Sequence, residues 1–225
     1  MSIGVCLVAA EGKPAVENAD LCEGEHVLAF VSQPEWEGWL AAASAGSTGV
    51  WLKIAKKGCA AATVSYAEAL EAALCFGWID AQKRPLSGDY WLQRFTPRKP
   101  RSKWSKINRG KAENLIAAGR MRPAGLREVQ AAQADGRWDA AYDGQGTAAV
   151  PDDLQRALDG DEVAAAFFAT LDRGNRYAIL YRIQEAKRPE TRARRVAKFV
   201  AMLHDHQAVH PVPARDQAAG QDGRS

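Results

Sequence analysis

All seven tryptophans of this 225-residue chain, at positions 36, 39, 51, 78, 91, 104 and 138, fall between residues 36 and 138. Beyond residue 140 the sequence reads as alanine-rich helix. Indole rings bury more area than any other side chain and dominate the core that holds them. The two stretches therefore need different cores, one aromatic and one of Ala, Leu and Phe, and two modules are expected. Hydrophobic residues make up 47% of the chain, and a chain of this length buries enough surface to fold without a disulfide or metal staple. Collagen, coiled coil and wholesale disorder are excluded.

Local signals sketch the elements. Ser32-Gln33-Pro34-Glu35 has the spacing of a capping box, and Trp36, Trp39, Leu40 and Ala43 follow at helical period up to Gly46. Val50–Ile54 alternates as a strand, turned by Lys57-Gly58. Ser65-Tyr66-Ala67-Glu68 opens a second helix with Tyr66, Leu70, Ala73 and Leu74 in its stripe, ended by Gly77. Trp78–Lys83 and Tyr90–Phe95 read as strands joined by a hairpin loop at 85–89. A helix near Trp104, with Leu115 and Ile116 inward, stops at Gly119, and Pro123 opens another to about Ala134.

Residues 143–150 read as a linker. Four helices are expected after it: one from Pro151, one capped by Asp161, one capped by Asn175, and one from Pro189 with Val196, Phe199, Val200 and Leu203 inward. The expected organisation is a loose arm at 1–26, an α+β module with a small antiparallel sheet at 27–142, the linker, a helical module at 151–206 and a disordered tail at 207–225.

Net charge is only +3, but it is unevenly spread. Residues 83–111 carry Lys83, Arg84, Arg94, Arg98, Lys99, Arg101, Lys103, Lys106, Arg109 and Lys111 against Asp89 alone. The first 28 residues carry five acids against Lys13. A positive block of this kind is either a face balanced by acidic neighbours or a surface that attracts anions. Within it, Pro97 and Pro100 hold the chain extended. Ser102, Ser105 and Asn108 can cap the following helix. Arg98, Arg101 and Lys103 can ring that helix N-terminus as an anion site, with Trp91 and Trp104 able to stack a base or cover a groove. Trp78 and Asp80 form one side of a polar pocket on this reading, and Asp80 is expected to pair with Arg94 or Arg98. The candidate ligand- or partner-binding set is Trp78, Asp80, Arg94, Thr96, Arg98, Arg101, Ser102, Lys103, Trp104, Ser105 and Asn108.

Catalytic signals are thin. G-x-S-x-G, the Walker A pattern and H-E-x-x-H are all missing. Gly144–Ala149 loosely matches G-x-G-x-x-A but follows no strand. His204, His206 and His210 cluster without an acid or thiol to complete a metal shell. Cys75 ends a helix, far from the positive dipole end that would activate it. No cofactor and no metal are expected. Cys6, Cys22, Cys59 and Cys75 form no C-x-x-C pair and read as free thiols. Residues 3–10 are apolar but lack a basic lead, and no run approaches a spanning helix, so a cytoplasmic location is expected.

Several strings carry a resemblance. They are Glu35-Trp36-Glu37-Gly38-Trp39-Leu40, Val50-Trp51-Leu52, Ser65-Tyr66 with Glu68-Ala69-Leu70, and Ala73-Leu74-Cys75-Phe76-Gly77-Trp78-Ile79-Asp80. Next come Arg94-Phe95-Thr96-Pro97-Arg98, Ser102-Lys103-Trp104-Ser105-Lys106-Ile107-Asn108 and Gly119-Arg120-Met121. Asp135-Gly136-Arg137-Trp138 and Ala186-Lys187-Arg188-Pro189-Glu190-Thr191-Arg192 complete the set. In this order, over about residues 28–203, the chain resembles the YdeI/OmpD-associated, or bacteriocin-protection, family. Ala81 departs from the glycine often found there. The resemblance implies an α+β part similar to YdhG or MmcQ/YjbR-like proteins, then a helical part. It also implies a link to bacteriocin or antimicrobial-peptide resistance, with no established catalysis.

Three functions follow. The first is a non-enzymatic protection or stress-response protein that binds an anionic ligand or protein through the basic, Trp-rich surface. The second is a nucleic-acid binder using the same surface, and the third an enzyme built on Asp80 and Cys75. A monomer or homodimer fits each of them.

Overall fold

The computed structural model describes residues 21–43 and 46–211. These divide into two units: residues up to Ser102 together with Asn108–Asp139, and Lys103–Ile107 together with the residues from Ala140 on. The short segment 103–107, expected in the α+β module, thus packs with the C-terminal unit.

The N-terminal unit is built on β1 (Leu21–Cys22), β2 (Glu25–Leu28), α1 (Gln33–Ala43), β3 (Val50–Ala55), α2 (Tyr66–Cys75), β4 (Trp78–Pro85) and β5 (Tyr90–Pro97). Helix α3 (Lys106–Ala117) and helix α4 (Pro123–Ala134) follow. Strands β2, β3, β5 and β4 form a mixed four-stranded sheet, and two-residue β1 adds to its β2 edge. The expected small antiparallel sheet is corrected here: β2 runs parallel to β3, with Val27 opposite Trp51. A parallel pair needs a long crossover, and α1 lies in it. Residues 21–26, placed in a loose arm from the sequence, are strand and turn; the rest of that arm, with Cys6, lies outside the described residues.

The core beneath the sheet is aromatic. Trp36 is fully buried, donates from Nε1 to the Ala69 carbonyl at 3.0 Å and lies 5.2 Å from Trp39 and 5.7 Å from Phe95. Trp39 meets Trp78 edge-on at 5.7 Å. The box at Ser65 forms as its spacing requires, with Ser65 accepting from the Glu68 N–H and Glu68 accepting from the Ser65 N–H. Glu35 instead reaches back to the Val31 N–H. Gly125 of α4 sits so close to α2 that a Cβ there would lie 2.4 Å from the Cys75 carbonyl oxygen. Helix α3 begins after Trp104, and Ala112 and Leu115 are its buried residues. Ile116, expected inward, is 39% exposed, because it lies a further 100° around the helix from Leu115.

The C-terminal unit is helical: α5 (Asp152–Asp159), α6 (Glu162–Thr170), α7 (Arg173–Gln184) and α8 (Pro189–His204). Leu154, Phe168, Ile179, Ile183, Phe199 and Leu203 are among the residues of its core. The N-cap of α7 is Asp172, whose carboxylate accepts from the Asn175 N–H at 2.7 Å. Asn175, expected as the cap, lies buried in the first turn, and its side-chain oxygen accepts from the His210 N–H at 2.8 Å. Residues 207–211, expected in the tail, are therefore placed, with Ala208 and Val209 against the core. Residues 212–225 lie outside the described residues.

Candidate functional site

The β4–β5 hairpin forms about its loop and positions the first candidate residues. Trp78 opens β4 opposite Pro97 and is buried. Asp80 lies opposite Phe95, while Arg94 lies opposite Trp51. Neighbouring strand residues face opposite sides, so the expected Asp80–Arg94 pair does not form. Asp80 accepts from the Tyr66 hydroxyl at 2.8 Å. Burial, with the Asp80 charge beside it, pushes the Tyr66 phenol well above its ordinary range. Tyr66 also lies 5.9 Å from Trp91, whose other neighbour is the Lys83 ammonium at 4.2 Å from the ring centre. Arg94 instead binds Glu25 of β2, with Nε 2.6 Å from Oε2. Thr96 is buried opposite Ile79.

Past β5 the chain turns. Arg98 is buried, and its N–H donates to the Gly77 carbonyl at 2.9 Å. A turn closes from the Lys99 carbonyl to the Ser102 N–H, with exposed Arg101 at φ 67°. The Ser102 carbonyl accepts from Arg137 at 2.7 Å, and Asn108 is half-buried on α3. These residues belong to the N-terminal unit.

Lys103, Trp104 and Ser105 belong to the other. Lys103 pairs with Glu185 and lies 5.5 Å from the Tyr181 ring centre. Ser105 bridges to Tyr142, whose N–H donates to the Trp104 carbonyl at 3.0 Å. Trp104 is 1% exposed. Its ring is core and has no face to offer a base, whereas Trp91 keeps one partly open.

Charge is the larger surprise. Among the described residues at least six of the ten cations in 83–111 are ion-paired: Arg84 with Glu23, Arg94 with Glu25, Lys103 with Glu185, Lys106 with Asp143, Arg109 with Glu113 and Lys111 with Glu71. The positive block is largely balanced from distant parts of the chain.

The reverse holds at the corner between α7 and α8. Residues 173–198 carry nine Arg and Lys against two Glu. Arg192 is held by Asp153, with Nε 2.6 Å from Oδ2, and donates to the Ile183 carbonyl. Arg195 donates to the Arg182 carbonyl. Both arginines therefore cap the negative end of α7, where cations are favoured. Among the described residues, Arg182, Lys187, Arg188, Arg194, Arg195 and Lys198 have no carboxylate within ion-pair distance, and all but Arg195 are exposed. Sequence reasoning used this stretch to place helices and as one string of the resemblance, and did not weigh its charge. A running charge count would have found it.

The residues of the enzyme reading are poorly set for chemistry. Burial pushes the Cys75 thiol up, away from the thiolate, and Tyr66 holds Asp80. Cys22, Cys59 and Cys75 are free thiols. The histidines scatter to different partners: His204 to Asp161, His206 to the Phe167 ring, His210 through its N–H to Asn175. Among the described residues no three His, Cys, Asp or Glu side chains gather to hold a metal, and no helix is long and apolar enough to cross a membrane.

Residues 147–206, the four helices and that positive corner, match the family described as bacteriocin-protection, YdeI or OmpD-associated. The four helices are thus a domain of that family. Residues 28–128 match a separate domain of unknown function, DUF8412. The strings quoted between residues 35 and 121 fall in the second match, and the string at 186–192 falls in the family domain. Neither a curated protein nor a solved structure matches the chain.

Proposed function

We propose that this is a non-enzymatic protection protein that acts by binding an anionic partner, with the α7–α8 corner of the family domain as its main contact. The observation that carries the reading is the contrast in charge compensation: the cations of 83–111 are mostly spent on internal carboxylates, and those of the corner are not. Unpaired surface cations raise the local potential and speed encounter with anions. A corner of this sign repels cationic peptides, so capture of such a peptide is not its role. The sheet module keeps its proposed kinship with YdhG or MmcQ/YjbR-like proteins, supported by the strings in 35–108. Its free thiols support a reducing, cytoplasmic setting.

The second reading, single-stranded nucleic acid on the β4–β5 hairpin, is favoured by one observation. Lys53 over Tyr90 and Lys83 over Trp91, each at 4.2 Å, place cations on half-exposed rings, the pairing that strand-binding surfaces use. Column retention separates the two. Arg188→Glu/Arg194→Glu/Lys198→Glu should abolish retention on heparin and flatten its salt dependence, while Lys53→Glu/Lys83→Glu should leave it. The opposite pattern, with single-stranded DNA as ligand, selects the hairpin. Retention unchanged in both variants overturns the anionic-partner reading.

A further inference from the structure

The family domain holds a cavity of about 370 Å³ apart from the charged corner. Small-molecule pockets run from ~300 to 1,000 Å³ and combine apolar walls with a few placed polar groups. Here the walls are Val150, Phe168, Leu171 and Leu180, and the polar groups include Arg173 and Arg176 from the first turn of α7.

The two arginines are differently held. Arg176 donates to the Ala169 carbonyl and lies 5.7 Å from the Phe168 ring centre, which fixes its guanidinium beside the apolar wall. Arg173 makes no ion pair among the described residues. Asp172, the adjacent acid in sequence, is engaged by its own helix: Oδ1 accepts from the Asn175 N–H and Oδ2 from the Asn175 side-chain amide at 3.3 Å. It is occupied as a helix cap. The Tyr177 hydroxyl is also engaged, donating to the Asp143 carbonyl at 3.0 Å. The cavity therefore joins an apolar interior to two positive groups without a carboxylate spent on them.

We infer that this cavity binds a small organic carboxylate with an apolar body. Arg173 and Arg176 would grip the carboxylate, for which the guanidinium fork is suited. Phe168, Leu171 and Leu180 would bury the body. No bond is made or broken. The site goes beyond the corner reading and does not depend on it, since Arg182, Lys187, Arg188, Arg194 and Lys198 line no part of the cavity.

The test titrates the full chain with 3-phenylpropionate, followed by calorimetry, with the uncharged 3-phenylpropanol as comparison. Saturable binding of the acid is expected with a Kd below about 1 mM, at least about tenfold tighter than the alcohol. Arg173→Gln should weaken the acid about tenfold and leave the alcohol unchanged, its melting temperature reporting that the fold is kept. No saturation by the acid, or equal affinity for acid and alcohol on the unaltered protein, overturns the inference. So does full affinity in a folded Arg173→Gln variant.

Discussion

Arg94 on β5 grips Glu25 on β2 across the intervening strand β3, Nε to Oε2 at 2.6 Å, and the pair closes over Gly49. A Cβ at Gly49 would lie 2.8 Å from Arg94 Nη2. The Arg94 hydrogen bonds hold the Glu25 carboxyl below its ordinary value of 4.5, with burial working the other way. A carboxyl lowered in the folded state stabilises above its unfolded value, and that gain is lost as pH falls through the folded value. Glu25→Gln should therefore cost roughly 1–2 kcal/mol near neutral pH, after discounting for exposure. The cost should vanish once pH drops below the folded value. Urea denaturation across the acid range checks this. A penalty independent of pH would show that shape, not charge, matters at this position.

Two glycines make a paired test of packing. Gly125→Ala would place its Cβ 2.4 Å from the Cys75 carbonyl and 2.6 Å from that of Leu74, both backbone atoms. Relief requires α4 to move off α2, so a loss of about 1–3 kcal/mol is expected. Gly110, inside α3, has nothing within 4 Å of its Cβ site. Gly110→Ala should stabilise by up to about 1 kcal/mol through helix propensity. Similar effects from both changes would contradict the close contact of α4 with α2.

Elements with local causes were legible in the sequence. The second helix follows from the Ser65–Glu68 reciprocal cap, and the hairpin follows from the loop at 85–89. Strand β2 was not legible: Glu25-His26-Val27-Leu28 is short and half polar, and its partner Trp51 becomes a neighbour only after α1 has crossed. The cap of α7 was misassigned because Asp172 and Asn175 are both good capping residues, and only geometry decides between them. The pairing of the basic block was hidden for a similar reason. Arg94 finds Glu25 at a separation of 69 residues and Lys103 finds Glu185 at 82, so a local charge count cannot show that these cations are spent. The corner on α7 and α8 was visible as composition, but its significance depends on which arginines the fold uses to close α7.

Arg192 is one of those. It joins α8 to α5 through both Asp153 oxygens and to α7 through the Ile183 carbonyl. Arg192→Lys keeps the charge but cannot make a fork to the carboxylate and reach the carbonyl as well. A loss of about 1–2 kcal/mol is expected, with the α5 amides losing protection from hydrogen exchange. If that protection is unchanged, Arg192 is not what holds α5 to α8.

The last prediction concerns pH at the far end of α8. His204 Nδ1 lies 3.0 Å from Oδ2 of Asp161, which also caps α6 by accepting from the Ala164 N–H at 3.0 Å. The hydrogen bond to Asp161, followed by its charge, raises His204 above its ordinary 6.5. The Ala164 N–H first, then His204, lowers Asp161 below 3.8. A raised histidine contributes stability that is complete below its unfolded value and is lost as pH rises through the folded one; a lowered aspartate contributes above its unfolded value. The contact should therefore be strongest between those two limits and fade in mild alkali. His204→Gln should lower the melting temperature at about pH 5.5 and have little effect at about pH 8.5. Asp161→Asn keeps an oxygen for the cap but removes the charge, so in that background the pH dependence of the His204 change should disappear. The histidine resonances, followed by NMR, should place His204 above its ordinary value in the parent and near it in Asp161→Asn. A melting difference that is the same at both pH values would mean that His204 acts there as a neutral packing group.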